Sequence, residues 1–164
     1  MPVTNVSKDP DALTMTITAG FDAPAERIWL LWSDPRQLER WWGPPTYPAS
    51  VVEHAFAPGG AVSYSMTGPD GDEHHGWWRI EEIDAPRRLR FKDGFADADG
   101  NPNDSMPTMT VTVTLTEDAG TTTMVIESRF ASREAMDQML AMGMDEGMSL
   151  AVGQIDGMLA AESG

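Results

Sequence analysis

The chain has 164 residues, of which 41% are hydrophobic, and it carries 26 acidic against 11 basic side chains, a net charge of −15. This length suits one domain with a substantial core, so we expect a single domain over residues 1–164. The charge argues against nucleic-acid and anionic-membrane partners, and the lack of cysteine excludes disulfides, zinc–thiolate sites and thiol catalysis.

The beginning of the chain shows no targeting pattern. Residues 1–5 contain no basic segment followed by an apolar one, so we expect no signal peptide. No apolar run approaches the ~20 residues of a membrane span. A cytoplasmic location is therefore the expectation.

The first predicted elements are a strand and two short helices. Apolar residues alternate with threonines along residues 11–21, a period of two that indicates a strand. Pro24 suits the first turn of a helix that continues to Trp32. Residues 33–35 cap a second short helix, which ends where prolines follow Trp42.

Six short strands are predicted next, separated by turns rich in glycine and proline. Their apolar residues alternate with polar ones, which indicates that one face is covered. Consecutive strands with short links predict an antiparallel sheet. The strands occupy residues 51–56, 62–67, 76–83, 87–95, 108–116 and 121–130.

The last predicted element is a long helix over residues 132–162. Ser132 is placed as its N-cap, and apolar residues recur at helical spacing beyond it. Gly143, Gly147, Gly153 and Gly157 interrupt this pattern at ~1 kcal/mol each relative to alanine. Two interpretations follow: a helix lying over a hollow in the sheet, or a methionine-rich core helix with close backbone contacts.

Several short motifs occur along this β-α-α-β6-α order. They are Phe21-Asp22-Ala23-Pro24, Ile28-Trp29, Ser33-Asp34-Pro35, Trp41-Trp42-Gly43-Pro44, Pro58-Gly59-Gly60, Gly76, Ile83-Asp84-Ala85-Pro86-Arg87-Arg88-Leu89 and Gly147-Met148. Together they resemble the SRPBCC superfamily of START domains and birch-pollen-allergen-like proteins, and especially single-domain bacterial homologues of the heat-shock protein 90 ATPase activator. The resemblance implies an α+β helix-grip fold, a curved antiparallel sheet wrapped around the C-terminal helix with a pocket between them, and a stress-response role.

Polar residues on the predicted inner face are the first candidates for a site, because a buried polar group needs a partner or a ligand. Tyr64 could bind a ligand carbonyl or be a core tyrosine, and His54 could exchange protons or be structural. Asp93 and Ser128 share the same phase. We expect the ligand-binding residues to be Tyr64, Trp78, Phe91, His54, Met136, Leu140, Gly143 and Gly147.

Motifs for other chemistry are weak. His74 and His75 are adjacent in a strand and point to opposite faces, so they cannot easily share one metal ion. The segment from Asp97 lacks the glycine and the glutamate of a calcium loop. No nucleophile–base triad, phosphate loop or dinucleotide fingerprint occurs, so we expect no catalytic set, metal or cofactor.

The sequence thus predicts a protein that binds a small apolar or amphipathic molecule between sheet and helix. One alternative is a cyclase- or lyase-like enzyme that uses Tyr64, His54 or Asp93 as acid or base on a carbonyl compound. Another, implied by the resemblance, is a co-chaperone-like interaction domain with a chaperone partner. The protein could also form a homodimer.

Overall fold

A computed structural model describes residues 3–103 and 105–163. Within these ranges the strands form one eight-stranded antiparallel sheet in the order β1-β2-β8-β7-β6-β5-β4-β3. The helices cover one face of the sheet, so the α+β helix-grip prediction is confirmed. The elements are β1 (Val3–Asp9), β2 (Thr14–Phe21), α1 (Ala25–Ser33), α2 (Pro35–Trp41), β3 (Ala49–His54), β4 (Ala61–Thr67), β5 (Glu73–Asp84), β6 (Arg88–Ala96), β7 (Met109–Asp118), β8 (Thr121–Phe130), α3 (Arg133–Ala141), α4 (Met144–Gly153) and α5 (Ile155–Ser163).

The predicted inner face of β7 and β8 is the face that is buried. Val111 and Val113 are inaccessible to solvent, whereas their neighbours Thr112 and Thr114 are more exposed. The strands pair in one continuous register, with Val113 opposite Ile126. Because side chains alternate between the two faces of a strand, this register places a continuous apolar layer under the helices.

Two short helices close one end of this layer. The carboxylate of Glu117, at the end of β7, accepts a hydrogen bond of 2.7 Å from the backbone N–H of Ala25 and so caps α1. Asp34 caps α2 in the same way through the N–H of Arg36. Aromatic side chains then fill the space between these helices and the sheet: Trp32, Trp41, Trp42, Trp78 and Phe91, with ring centroids 3.9–6.4 Å apart.

Strand β1 was not predicted. Its residues are mostly exposed and show no apolar alternation, yet it pairs along β2 as an edge strand. The pattern that identifies half-buried strands is absent where a strand buries little apolar surface and is held mainly by backbone pairing. The first predicted strand therefore begins at Thr14, not Asp11.

The C-terminal helical region is three consecutive helices, not the one continuous helix that the sequence predicted. The Ser132 cap is confirmed, because its hydroxyl accepts a hydrogen bond from the N–H of Ala135. Gly143 then adopts a φ of 82°, which ends α3 and begins α4. Left-handed backbone is easiest for glycine, so the residue that interrupts the periodicity also breaks the helix. None of the described helices is both long and apolar enough to cross a membrane.

Candidate ligand-binding cavity

A cavity of about 400 Å³ lies between the sheet and helices α3 and α4. It is at the end of the sheet where β4 and β6 finish and β5 and β7 begin, beyond the aromatic cluster. Its wall is mostly apolar, with a few polar groups among thioethers and rings. The lining residues are Trp42, Pro44, Tyr47, Tyr64, Met66, His74, His75, Asp93, Gly94, Phe95, Pro107, Met109, Met139, Met142, Met144, Gly147 and Met148.

A glycine positions the tyrosine of the cavity floor. Tyr64 on β4 is paired with Gly76 on β5, and a Cβ placed at Gly76 would collide with the tyrosine ring and its hydroxyl. The missing side chain lets the ring lie across β5 towards β6. There the Tyr64 hydroxyl donates a hydrogen bond of 3.0 Å to Oδ1 of Asp93. Tyr64 is half-buried, and β4 pairs with β5 without a bulge, which keeps Tyr64 on the inner face.

Asp93 is the deepest charged group of the cavity, with only 6% of its surface exposed. Burial raises its pKa from the ordinary 3.8 to about 7, and the hydrogen bonds from Tyr64 and from the backbone of Gly94 only partly oppose this. Burial and the nearby Asp93 carboxylate also raise the pKa of the Tyr64 hydroxyl well above its usual range. Tyr64 therefore stays protonated, while Asp93 can gain or lose a proton near neutral pH.

The indole N–H groups beside this pair are poorly satisfied. Those of Trp42 and Trp78 are buried and make no hydrogen bond of acceptable geometry. Both lie near enough to the Tyr64 oxygen to favour its ionised form and so oppose part of the rise in its pKa. A buried donor without a partner is costly, so these two N–H groups are unsatisfied polar groups beside Tyr64, in largely apolar surroundings.

Helices α3 and α4 supply the flexible wall. Their cavity side consists of methionines and of Gly147, where a Cβ would meet no atom within 4 Å. Methionine adapts its shape more readily than branched residues. Lys8 of the edge strand β1 holds α4 through a 2.7 Å ion pair with Asp145. The methionines on this side are Met139, Met142, Met144 and Met148.

The loop after α2 forms the third wall. The side-chain amide of Gln154 donates hydrogen bonds to the carbonyl oxygens of Trp41 and Gly43, which fixes this loop against the C-terminal helices. Trp42 contributes its ring to the lining, whereas Trp41 is fully buried and bonds the carbonyl of Leu31. The two neighbouring tryptophans thus have different roles: Trp42 lines the cavity, and Trp41 packs in the core.

Several residues predicted to bind ligand lie elsewhere. Tyr64 and Gly147 line the cavity. Trp78 and Phe91 stack on each other at 3.9 Å inside the aromatic cluster, and Met136 is buried in the core; none of these three borders the cavity. Phe91 has the correct face but sits two residues, about 7 Å, before Asp93 on β6. Trp78 is the cross-strand neighbour of Asp93, but its ring packs against Trp42 and Phe91 in the aromatic cluster.

The remaining predicted residues are also outside the cavity lining. His54 bonds the carbonyl of Trp32 and stacks on Phe56, beside α1. Leu140 packs against the core, and Gly143 is the hinge between α3 and α4. A larger side chain at Gly143 would be strained by its φ of 82° whatever space it filled, so Gly147 is the better position to test.

Other lining residues had a signal in the sequence that was not used for the site. Asp93 shares the inward phase of β6 and was considered only as an acid or base. Gly76 does not line the cavity itself, but a glycine inside a strand is the usual sign of a close approach by another group, here the ring of Tyr64. Met109 shares the inward phase of Val111, whereas Tyr47 and His75 carry no signal for the cavity, because loop geometry and the end of a strand decide their place. Within the described residues no group of three or more His, Cys, Asp or Glu could hold a metal.

Known proteins resemble the chain over nearly its whole length. The sequence model of the family described as Activator of Hsp90 ATPase homolog 1-like protein matches residues 22–160. The crystal structure of protein Ms6760 from Mycobacterium smegmatis is 52% identical, covers 96% of this chain and 97% of that chain, and has a TM-score of 0.89. The solution structure of a protein from Arthrobacter aurescens is 50% identical, covers 97% and 92%, and has a TM-score of 0.93. No curated protein matches the sequence.

Proposed function

The chain belongs to the family of Activator of Hsp90 ATPase homolog 1-like proteins, and on that premise we propose that it binds a small apolar or amphipathic molecule in the cavity between sheet and helices. One observation carries the proposal: a cavity of about 400 Å³ with a mainly apolar wall and a few polar groups at its floor. This size and composition are typical of sites for small molecules.

The helix side of the cavity supports the same proposal. Four lining methionines and Gly147 stand where a protein selected only for stability would place branched or larger residues. Empty space in a core reduces stability in proportion to its volume. Residues that keep such space open, and that adapt their shape, suit a ligand that completes the packing.

The experiment is a titration with N-phenyl-1-naphthylamine, a neutral fluorescent probe. Gly147→Leu extends a side chain into space that is open in this structure, on helical backbone where leucine is favoured over glycine. We expect at least about ten-fold weaker probe binding at unchanged or higher stability in urea. Gly153→Leu is the matched control, because Gly153 is on the same helix, has equally open surroundings and does not line the cavity. Equal uptake by a folded Gly147→Leu variant would contradict the proposal.

Proton transfer is a second candidate function, and the pair of Tyr64 and Asp93 favours it. A carboxyl group with a pKa near 7 can act as general acid or base, and the Tyr64 hydroxyl beside it could polarise a carbonyl. The test is exchange of the α-protons of acetophenone in D₂O, followed by NMR. If wild type accelerates the exchange and Asp93→Asn does not, the result supports catalysis. If the exchange rate equals the uncatalysed rate with both proteins, the result supports ligand binding without catalysis.

A further inference from the structure

In the part of the chain that the structure describes, the cavity lining contains an acidic side chain without a lysine or arginine to balance it. Asp93 is buried at its floor, and no lysine or arginine lies among the described lining residues. Lys8, on the edge strand β1, is engaged with Asp145 of α4. An anionic ligand would meet no fixed positive charge and would approach a buried acid in a chain of net charge −15. Fatty acids and other anionic amphiphiles are therefore disfavoured.

Asp93 has unused capacity to accept hydrogen bonds. A carboxylate offers about four lone-pair positions, and the side-chain partner of Asp93 is one hydroxyl, that of Tyr64 at 3.0 Å. No cation is paired with this buried group in the described part of the chain. A buried carboxylate is stabilised most by a charged donor, because hydrogen bonds between ionised groups are shorter and stronger than neutral ones.

Aromatic rings share the cavity lining with this carboxylate. Trp42, Tyr47 and Tyr64 all contribute to the lining, and Trp42 packs edge-on against Tyr64 with centroids 5.9 Å apart. The faces of such rings attract cations, tryptophan most of all. A carboxylate among aromatic rings fits an ammonium group, and the methionine wall opposite fits an alkyl or aryl body.

Resting on the proposed function, we propose that the ligands of this cavity are amphipathic amines: the ammonium group pairs with Asp93, and the apolar body lies against the methionines of α3 and α4. The pairing requires the ionised form of Asp93. Binding of an amine should therefore weaken as pH falls through about 7, where Asp93 takes up a proton.

Other titratable groups also face the ligand. These are Tyr47 of the loop after α2, Tyr64 of β4, and His74 and His75 of β5; the lining residues of α3 and α4 are not titratable. The pKa values of both tyrosines are raised, so they stay neutral near pH 7. A protonated histidine would also repel an amine, and a comparison with Asp93→Asn separates its effect from that of Asp93.

The test uses octylamine, octanol and octanoate, which share one alkyl chain and differ in the head group. Calorimetric titration of the wild-type protein at pH 8 should rank octylamine at least about ten-fold tighter than octanol, with octanoate weakest. If octanol binds as tightly as octylamine, the amine proposal is wrong while ligand binding stands. If none of the three binds, the proposed function itself fails.

Asp93→Asn provides the second arm. Asparagine keeps the acceptor for Tyr64 and removes the charge, so octylamine affinity should fall to that of octanol while octanol affinity changes less than about two-fold. Should this variant fail to fold, the ratio of octylamine to octanol affinity in wild type decides the matter: it should drop at least about five-fold from pH 8 to pH 5.5. A ratio independent of pH would overturn the proposal.

Discussion

Asp93 and Tyr64 form the chemical centre of the cavity, and each depends on a neighbour with little chemistry of its own. Gly76 makes room for the Tyr64 ring, and the pairing of Trp78 with Asp93 fixes the carboxyl at the cavity floor. The result is a buried acid with one hydroxyl partner and no cation within the described residues. A group in this situation should make folding depend on pH.

Asp93→Asn should remove that dependence. Folding raises the pKa of Asp93 from 3.8 to about 7, so the folded chain holds more protons than the unfolded chain between these values. The free energy of unfolding therefore falls as pH rises through this window. Between pH 4.5 and pH 8, wild type should lose about 2–4 kcal/mol relative to the variant in urea unfolding. Parallel stability curves for the two proteins would show that Asp93 titrates normally.

The breaks between α3, α4 and α5 decide which residues of the C-terminal region reach the cavity. Gly143 turns the chain, so α4 does not continue the face that Met136 and Leu140 define on α3. After the break, Met144, Gly147 and Met148 face the cavity while Met136 stays in the core. One helical period extrapolated through Gly143 therefore does not identify which residues of this region line the cavity.

Substitution by alanine should distinguish the two glycines. A Cβ meets no atom within 4 Å at either Gly143 or Gly147, so their difference lies in the backbone: Gly143 has a φ of 82° and Gly147 is within a helix. Gly143→Ala should lower the free energy of unfolding by about 1–2 kcal/mol. Gly147→Ala should raise it by up to about 1 kcal/mol. Urea unfolding measures both, and equal effects would show that the turn at Gly143 is not required.

The sequence identifies faces well and positions along elements poorly. Alternation correctly assigns Val111, Val113 and Tyr64 to the inner side, because the period of a strand fixes the face of every residue. It does not say how far along the strand the aromatic filling ends and the cavity begins, which is why Trp78 and Phe91 were placed in the site. That boundary depends on tertiary packing by α1 and α2.

At the scale of the whole molecule, net charge is the dominant electrostatic property. With a net charge of −15, the excess acidic groups repel one another in the compact state. The ion pairs on β5 and β6, such as that of Arg90 with Glu81, are partly exposed and therefore weak. Large exposed apolar side chains come from several elements: Val6, Leu30, Val52, Met142 and Leu150. They single out no element for a partner, so the chaperone partner and the homodimer stay predictions.

Salt should therefore stabilise the protein. Raising NaCl from ~10 mM to ~150 mM shortens the screening length from about 30 Å to about 8 Å. We expect the melting temperature at pH 8 to rise by about 2–4 °C. The same series near pH 4.3, the isoelectric point of the sequence, is the control and should show little change. A fall at pH 8 would mean that ion pairs such as Lys8–Asp145 outweigh the repulsion.

The thioether wall of the cavity has a chemical consequence, because sulfur is open to oxidation. Hydrogen peroxide converts methionine to a polar sulfoxide, and it reaches exposed side chains first. Met142 is 56% exposed, whereas Met15 is 1% exposed in the core. Mild peroxide should therefore modify Met142, and next the half-buried Met66 and Met144 of the cavity wall, before Met15, as peptide mass spectrometry can show. Uptake of an apolar probe should fall as the cavity methionines are oxidised, and it should return after treatment with methionine sulfoxide reductase. Loss of uptake without oxidation of these methionines would show that they do not form the wall that the probe contacts.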